Sequence, residues 1–292
     1  MHRLLRRSRL RYYRWQRWAA LRRLRRRALR VGPHHPGRVR YEGLDLRYTD
    51  LQSLYIECKD IFGHRIYHFN CQTQRPRIID GGGCLGISCL YFKSIYPKAR
   101  ITCFEPDERM SSLLRKNLRL NGASDVEVVT AGLAARAGRQ AFDPDGSDGG
   151  RLTVNTTTTN TDPPYSPPRP SVRTIPLSEY LDEPVDLLKL NIEGQEWPVL
   201  SEAAGSGKLK NVRRMVIEYH GWPDRKQCLG KILELLNDRG FHYKLHDFDR
   251  ETCEATKPPF TESTNQSWFC LIHAFRPDGV GAARPATIRD AT

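Results

Sequence analysis

The stretch that most constrains the fold runs from residue 77 to residue 106. A short apolar run, RIID (77–80), enters a glycine-rich turn, GGGCLG (81–86), and a second apolar run, RITCFEP (100–106), follows an amphipathic segment. Short apolar runs of this kind are typical of buried strands, and a glycine turn that opens a helix lets a ligand approach the backbone closely. The stretch therefore predicts a strand–turn–helix–strand unit.

The same alternation continues through most of the chain. Further strand-like runs lie at 126–133, 185–191, 212–220, 241–248 and 267–275, and helical patterns separate most of them. Strands that alternate with helices indicate an α/β fold with a doubly wound, mostly parallel sheet. We predict a seven-stranded Rossmann-like sheet, in which the last two runs form an antiparallel hairpin at one edge because no helix separates them.

The positive charge is confined to the first 40 residues. The chain carries a formal net charge of +14, and residues 1–40 alone contain fifteen arginines and no acid. Such a segment can face an anionic membrane surface or a nucleic acid, act as a mitochondrial presequence, or be a solvated extension. We expect a disordered or partly helical arm (1–40), with a helix from residue 18 to 29, and then a lead-in (41–76), a catalytic domain (77–276) and a disordered tail (277–292).

The glycine turn is compatible with two kinds of cofactor. Residues 81–86 spell Gly-x-Gly-x-x-Gly and Glu105 follows the second strand, which matches the fingerprint of a nicotinamide dinucleotide site. Asp80, however, would repel a pyrophosphate and attract a cation. S-adenosyl-L-methionine has an α-ammonium, a sulfonium and no phosphate, so Asp80 favours it, with Glu105 receiving the ribose hydroxyls.

Three blocks of the sequence resemble the FkbM-type methyltransferases, a branch of the class I enzymes that use S-adenosyl-L-methionine. They are IIDGGGCLGIS, CFEPDERMSSLLRKNLRLNG and, most specifically, VDLLKLNIEGQEWPVL. The lead-in at 46–69 also resembles that family, and the likeness covers roughly residues 44–275. It implies methyl transfer to a hydroxyl of a sugar, a glycan or a small metabolite. The cofactor-binding candidates are Asp80, Gly82, Gly83, Gly86, Glu105 and Asn191.

The sequence departs from the family pattern at three positions. Gly83 and Cys84 replace an alanine and an asparagine in the turn, and Asn191 replaces an aspartate in the third block. A thiol lacks the hydrogen bonds of an amide, so we expect a looser turn at Cys84. The loss of a carboxylate at Asn191 leaves open a weakened enzyme or a descendant that binds the cofactor without turnover.

A second motif matches that of the amino-methylating enzymes in sequence but not in its context. Residues 162–165 spell DPPY, which amino-methylating enzymes carry at the end of a buried strand. Here the tetrapeptide follows a polar run and precedes SPPRP, so we assign it to an insertion at about 143–171. A loop of this length is typically a substrate lid or a disordered linker.

An alcohol acceptor needs a base, and we expect it just after a strand at the ligand edge of the sheet. We predict His220 as this base, with Glu193 and Asn191 as further catalytic residues and Glu196 and Glu218 as substrate-binding residues. A structural histidine and a helix-capping acid are the alternatives for His220 and Glu196. No metal site is predicted: His242 and His246 alternate with apolar residues, which is typical of the polar face of a strand, and His64 and His68 lack a clear third ligand.

The cysteines and the lengths of the apolar runs indicate the cellular location of the protein. The eight cysteines show no CxxC pair, and several lie in apolar runs, which favours reduced thiols and a cytoplasmic location. No apolar run is long enough to span a bilayer, although a peripheral membrane position and mitochondrial import stay open. The leading hypothesis is an O-methyltransferase. The alternatives are a nicotinamide-dependent oxidoreductase and a nucleic-acid methyltransferase that uses the arm.

Overall fold

The structure of the protein is a computed structural model. It describes residues 2–144, 149–152, 170–246 and 267–277, with side chains described from residue 17 onward. Six α-helices lie in these ranges: α1 (His2–Val31), α2 (Leu51–Glu57), α3 (Ile87–Ile95), α4 (Glu108–Leu120), α5 (Glu196–Gly205) and α6 (Leu229–Asp238). A π-helical segment, Cys58–His64, continues α2 directly, and short 3₁₀ turns precede β10 and β11.

A seven-stranded sheet forms the centre of the molecule. In spatial order its strands are β12 (His242–His246), β13 (Trp268–Phe275), β11 (Arg214–Gly221), β10 (Leu187–Leu190), β3 (Arg77–Gly81), β4 (Arg100–Phe104) and β5 (Glu127–Val129). The five strands from β11 to β5 are parallel, and all four residues of β10 are buried, as expected for a strand that is covered on both faces of the sheet. This confirms the predicted fold class.

The predicted terminal hairpin is confirmed, with one refinement. β12 and β13 pair antiparallel, and β13 also pairs antiparallel with β11. The last strand is therefore inserted between β11 and β12, so that β12 forms the edge of the sheet. All five residues of β12 are exposed, including His242 and His246.

A smaller sheet lies beside the central one and was not predicted. It contains β6 (Gly132–Leu133), β9 (Ser171–Ile175), β7 (Gly138–Pro144) and β8 (Gly150–Leu152), in that spatial order. The run 126–133, expected as one strand, divides into β5 and β6, which belong to different sheets. The predicted insertion at 143–171 contributes to β7, β8 and β9 at its ends, while its centre, with the DPPY motif at 162–165, lies outside the described residues.

The N-terminal segment packs against the body of the protein. Leu21, Leu24 and Ala28 of α1 are buried in the same hydrophobic cluster as α2 and the π-helical segment, and Arg25 points to solvent. Residues 21–28 are therefore helical, as the alternative of a partly helical arm has it, and they pack against the body instead of forming a solvated extension. A hairpin of β1 (Gly37–Tyr41) and β2 (Leu44–Tyr48) follows, so the predicted boundary at residue 40 falls within a strand.

The long helix α1 is too polar for a bilayer. Within the described residues, no helix combines the length and the apolar character that crossing a membrane requires.

Candidate active site

A cavity of about 400 Å³ opens at the carboxyl ends of β3, β4 and β10. One wall is the glycine turn after β3, a second comes from α2 and the π-helical segment, and a third comes from the small sheet. Its polar lining includes Glu57, Glu105, Asp107, Asn191 and Glu193. In a parallel sheet this edge, where strands β3 and β10 carry the chain to opposite sides, is where ligands bind.

The glycine turn is tightly constrained. The N–H groups of Gly82 and Gly83 both donate to the carbonyl oxygen of Phe104, at 3.0 and 2.9 Å. Gly82 has φ +81°, and a Cβ atom there would lie 1.8 Å from the carbonyl oxygen of Asn191. A side chain cannot be accommodated against backbone at that distance. The turn therefore brings β3 and β10 together and presents bare backbone to the cavity.

Asp80 lies beneath the turn and is already paired. Its side chain is fully buried and forms an ion pair of 3.0 Å with Lys189, its cross-strand neighbour on β10. Lys189 also donates to the carbonyl oxygens of Gly81 and Gly82, at 3.2 and 2.6 Å. Although burial lowers the pKa of Lys189, the charges of Asp80 and Glu218 outweigh it and raise that pKa. Lys189 is thus a permanent cation that joins the turn to the sheet.

Glu105 follows β4 and lines the cavity beside the turn. Its carboxylate accepts hydrogen bonds from the N–H groups of Cys84 at 2.9 Å and Asp107 at 3.0 Å. Burial raises the pKa of Glu105 to about 7 despite these bonds. Each carboxylate oxygen has two lone pairs, so both can accept a further hydrogen bond from a ligand hydroxyl.

Asn191 ends β10 and lines the cavity. Its Nδ2 donates to Glu218 at 2.9 Å, while its Oδ1 is buried without a hydrogen-bond partner among the described residues. Glu218 also accepts a hydrogen bond from the hydroxyl of Tyr67, and burial raises the pKa of Glu218. An unsatisfied buried amide oxygen is costly, and a donor on a bound ligand would satisfy it.

Glu193, His220 and Glu196 form a second polar cluster at the end of the cavity beyond β10. The imidazole of His220 donates from Nδ1 to Glu196 at 2.9 Å, and its Nε2 lies 3.5 Å from Glu193. Burial alone would lower the pKa of His220, but the carboxylates of Glu193 and Glu196 outweigh it and raise the pKa to about 9. His220 is therefore cationic at neutral pH.

Only one member of this cluster reaches the cavity. Glu193 lines it, with its side chain 31% exposed, and its backbone has a left-handed φ of +55°. Glu196 instead accepts hydrogen bonds from the N–H groups of Ile192 and Gly194, at 3.3 and 3.2 Å. It closes the turn that leads into α5, where a carboxylate is also favoured by the helix dipole.

The structure thus divides the residues predicted from the sequence. Among the described residues, the cavity is lined by Gly82, Gly83, Glu105, Asn191 and Glu193. Five others lie behind its wall and contact the lining residues: Asp80, Gly86, Glu196, Glu218 and His220.

Sequence reasoning missed the role of two polar residues. Lys189 is a charged residue within a four-residue buried strand, and that unusual position was a readable signal of an internal ion pair. Glu57 lines the cavity from the end of α2, and no local pattern distinguishes it from other acids on an amphipathic helix.

A cluster of Asp80, Cys89 and Cys103 has ligand atoms close together but is a poor cation site. The ammonium of Lys189 already pairs with Asp80 there. Hydrogen bonding with Cys103 and burial raise the pKa of the Cys89 thiol, whereas metal binding requires thiolates.

Comparison with known proteins identifies the family. The family described as "Methyltransferase FkbM domain" matches residues 80–243, which is more than half of the chain. Two fungal relatives match over shorter stretches. Methyltransferase sdnD of Sordaria araneosa is 38% identical over 81 residues, and Methyltransferase 1 of Beauveria bassiana (strain ARSEF 2860) is 33% identical over 75 residues. These stretches cover 27% and 26% of this chain, and 31% and 30% of the relatives' own lengths.

Solved structures give more distant matches. M. jannaschii TYW2, in complex with AdoMet, has a TM-score of 0.44 and 9% identity, covering 83% of this chain and 86% of that protein. The N-terminal domain of EvdMO1, with SAH bound, has a TM-score of 0.44 and 13% identity, covering 87% and 96%.

The residues present fit an S-adenosyl-L-methionine site. The turn at Gly82 has no room for a side chain, Glu105 keeps free acceptor capacity, and Asn191 holds an unpaired amide oxygen at the cavity wall. These groups suit a ligand with hydroxyl and ammonium donors and no phosphate. The family match decides against the nicotinamide-dependent alternative. The chain belongs to the FkbM methyltransferase domain family, and S-adenosyl-L-methionine is its cofactor.

Proposed function

We propose that this protein transfers a methyl group from S-adenosyl-L-methionine to a hydroxyl group of a sugar, a glycan or a small metabolite. The observation that carries the proposal is a cavity whose lining joins Glu105, beside the glycine turn, to Asn191 and Glu193 at the end of β10. One end of it suits the cofactor, and the other presents polar groups to an acceptor.

In the proposed arrangement, Glu105 binds the ribose hydroxyls of the cofactor, and the backbone of the glycine turn lies against the cofactor. The bound cofactor supplies an electrophilic methyl group on a sulfonium. The protein must hold the acceptor hydroxyl in line with that methyl group and receive its proton. Asn191 Oδ1 is available to orient a donor, because it has no partner among the described residues.

We assign direct contact with the acceptor hydroxyl to Glu193, since it lines the cavity, and a proton-holding role to His220 behind it. His220 can then act as the base that the sequence predicts only when its imidazole is neutral. A cationic imidazole cannot accept a proton, and the neighbouring carboxylates raise the pKa of His220 to about 9. If His220 is the final proton acceptor, kcat rises with pH until about pH 9. If Glu193 alone accepts the proton, kcat shows no such rise.

The proposal is tested by offering the protein S-adenosyl-L-methionine with a deuterated methyl group and a panel of hydroxyl compounds. Mass spectrometry detects the labelled methyl group on the product. We expect Glu193→Gln to reduce kcat by about 100-fold or more, within the range for loss of a positioned base, while S-adenosylhomocysteine still binds. The matched control is Glu234→Gln, which removes the same charge from an exposed position on α6. Transfer at the wild-type rate by Glu193→Gln would contradict the role of Glu193.

A nucleic-acid acceptor is the second candidate, favoured by one surface. Six arginines of α1 are exposed around its buried stripe: Arg22, Arg23, Arg25, Arg26, Arg27 and Arg30. Phosphate contacts by such a surface make binding steeply dependent on salt, with a slope of about −0.9 per contact.

Charge-neutralised variants test this candidate. Replacing Arg22, Arg23 and Arg26 by glutamine should reduce the salt slope for a DNA or RNA duplex by about 3 if all three contact phosphates. The matched control replaces three exposed basic residues elsewhere on the body, Lys98, Lys116 and Arg119. Equal slopes in the two triple variants would remove the arginine surface from consideration.

A further inference from the structure

Asp80, the acid that the sequence suggests for the α-ammonium of the cofactor, is already occupied. Its carboxylate pairs with Lys189 at 3.0 Å and accepts a hydrogen bond from the hydroxyl of Ser88. The carbonyl oxygens of Gly81 and Gly82 also accept from Lys189. An incoming ammonium would meet the cation of Lys189 at each of these oxygens, so another acid has to receive it.

Glu57 is in the position to do so. It is the last residue of α2 and lines the same cavity as Gly82, Gly83 and Cys84. The thiol of Cys84 donates to its Oε1 at 3.1 Å, which places the carboxyl directly against the turn. In the part of the chain that the structure describes, no basic side chain forms an ion pair with Glu57.

The other acids of the lining are less suitable. The carboxylate of Glu105 already accepts hydrogen bonds from the backbone N–H groups of Cys84 and Asp107, and the proposed arrangement assigns its remaining lone pairs to the ribose hydroxyls. The side chain of Asp107 caps α4 through the N–H of Arg109. Glu193 lies beside the cation of His220 at the acceptor end. With Glu105 assigned to the ribose hydroxyls, Glu57 is thus the remaining acid that contacts the turn, lines the cavity and forms no ion pair among the described residues.

We propose that Glu57 binds the α-ammonium of S-adenosyl-L-methionine, and that Asp80 supports the site indirectly by holding Lys189 in place. This inference rests on the proposed function, because it concerns the same cofactor. It assigns a cofactor contact to the N-terminal lead-in, which lies outside the matched residues 80–243.

Because of the charges around Glu57, the binding of a cation should release protons, and this release can be measured. Burial raises the pKa of Glu57 to about 7, while the Cys84 thiol and the charge of Lys189 act to lower it and the charges of Glu218 and Asp80 act to raise it. A carboxyl with that pKa is about half protonated at pH 7. An ammonium held against it favours the carboxylate and lowers its pKa, so binding releases up to about half a proton from Glu57.

Two ligands separate the ammonium contact from the rest of the site. S-adenosylhomocysteine carries the amino-acid portion, and 5′-methylthioadenosine lacks it but keeps the ribose and the adenine. Calorimetric titration of the full chain with each ligand would compare the wild type, Glu57→Gln, Glu105→Gln and the surface control Glu234→Gln. Glutamine keeps the shape of the side chain and removes a buried charge, so thermal unfolding should confirm an intact fold.

We expect Glu57→Gln to weaken the binding of S-adenosylhomocysteine by about 10- to 100-fold, which is the range for loss of one charge-assisted hydrogen bond. The Kd for 5′-methylthioadenosine should stay within about threefold of the wild-type value. Glu105→Gln should weaken both ligands. Titrations in buffers with different ionisation enthalpies should also show fewer protons released by Glu57→Gln with S-adenosylhomocysteine.

The outcomes distinguish this inference from the proposed function. If Glu57→Gln loses equal affinity for both ligands, or loses affinity for neither, the assignment of Glu57 is overturned but the cofactor site is not. A wild-type protein that binds neither ligand would overturn the cofactor site itself, and the role of Glu57 with it.

Discussion

Gly82 is held where its backbone alone fits between two strands. It has φ +81°, and an added Cβ would lie 1.8 Å from the carbonyl oxygen of Asn191. We expect Gly82→Ala to combine about 1 kcal/mol of left-handed backbone strain with a further 1–3 kcal/mol for the clash, because backbone atoms cannot rotate away as a side chain can. Urea unfolding measures this loss, and calorimetry measures the accompanying loss of cofactor binding.

The chain offers a matched control for this substitution. Gly207 has a similar φ of +74°, but a Cβ there meets no atom within 4 Å. Gly207→Ala should therefore cost only the backbone strain of about 1 kcal/mol. Equal destabilisation of the two variants would show that strain alone, and not the close approach of β3 and β10, makes Gly82 necessary.

His220 should make stability depend on pH. Its pKa is raised from 6.5 to about 9 in the folded protein, chiefly by the charges of Glu193 and Glu196, which outweigh burial. A raised folded-state pKa means that the folded protein holds the proton more tightly than the unfolded chain. The stabilising contribution is therefore complete below about pH 6.5 and is lost as the pH rises through 9.

Chemical denaturation of the wild type and His220→Gln at pH 6.5 and pH 9.5 tests this dependence. The difference in unfolding free energy between the two proteins should be largest at the lower pH and should shrink at the higher one. A difference that is constant across this range would mean that packing, such as the stacking of His220 on Trp222, accounts for the whole effect.

Individual residues also show where sequence reasoning ends. The positions of Gly82, Glu105 and Asn191 followed from their places just after strands, because strand ends meet at one edge of a parallel sheet. The pairing of Asp80 with Lys189 depends on β3 and β10 being neighbours in register. No local pattern encodes that adjacency, so the sequence left Asp80 free to bind the cofactor.

Helix α1 shows how a charged element can still contribute to the core. Leu21 and Leu24 are 2% and 4% exposed, whereas Leu29 is 68% exposed. We expect Leu21→Ala to reduce the unfolding free energy by about 2–5 kcal/mol, because truncating a buried leucine leaves a cavity. Leu29→Ala on the same helix is the control and should change stability by less than about 0.5 kcal/mol. Thermal and urea unfolding would measure both, and equal small effects would mean that α1 is not anchored.

The elements differ in how clearly the sequence marked them. The strands of the central sheet are apolar runs bounded by turns, and they were readable for that reason. Strands β7, β8 and β9 are mixed in character, with residues such as Arg139 and Arg173 facing solvent, so no period distinguished them from a loop. The contact of α1 with α2 could not be predicted from the sequence, because the buried stripe of α1 is narrow and flanked by arginines.

At the scale of the whole molecule, the cavity is built from distant parts of the chain. Its lining extends from Ser53 to Glu193 and draws on both sheets. A ligand bound there should stabilise the entire fold, by about 2.7 kcal/mol at a concentration 100 times its Kd. We expect S-adenosylhomocysteine at that concentration to raise the Tm by about 4 to 6 °C, from typical unfolding entropies.

Differential scanning calorimetry with increasing ligand would check this expectation. Glu105→Gln should need a higher concentration for the same shift, because it weakens binding without removing the rest of the cavity. NAD at equal concentration is the negative control. A shift with NAD and none with S-adenosylhomocysteine would contradict the cofactor.

The wall of the cavity that comes from α2 and the π-helical segment has a consequence for the boundaries of the domain. Ser53, Ile56, Glu57 and Ile61 line the cavity, yet all four precede Asp80, where the family match begins. The part of the chain that builds the cavity therefore extends beyond the part that the family match covers. A protein cut to residues 80–243 would keep Glu105, Asn191 and Glu193 and still have a cavity open to water on one side.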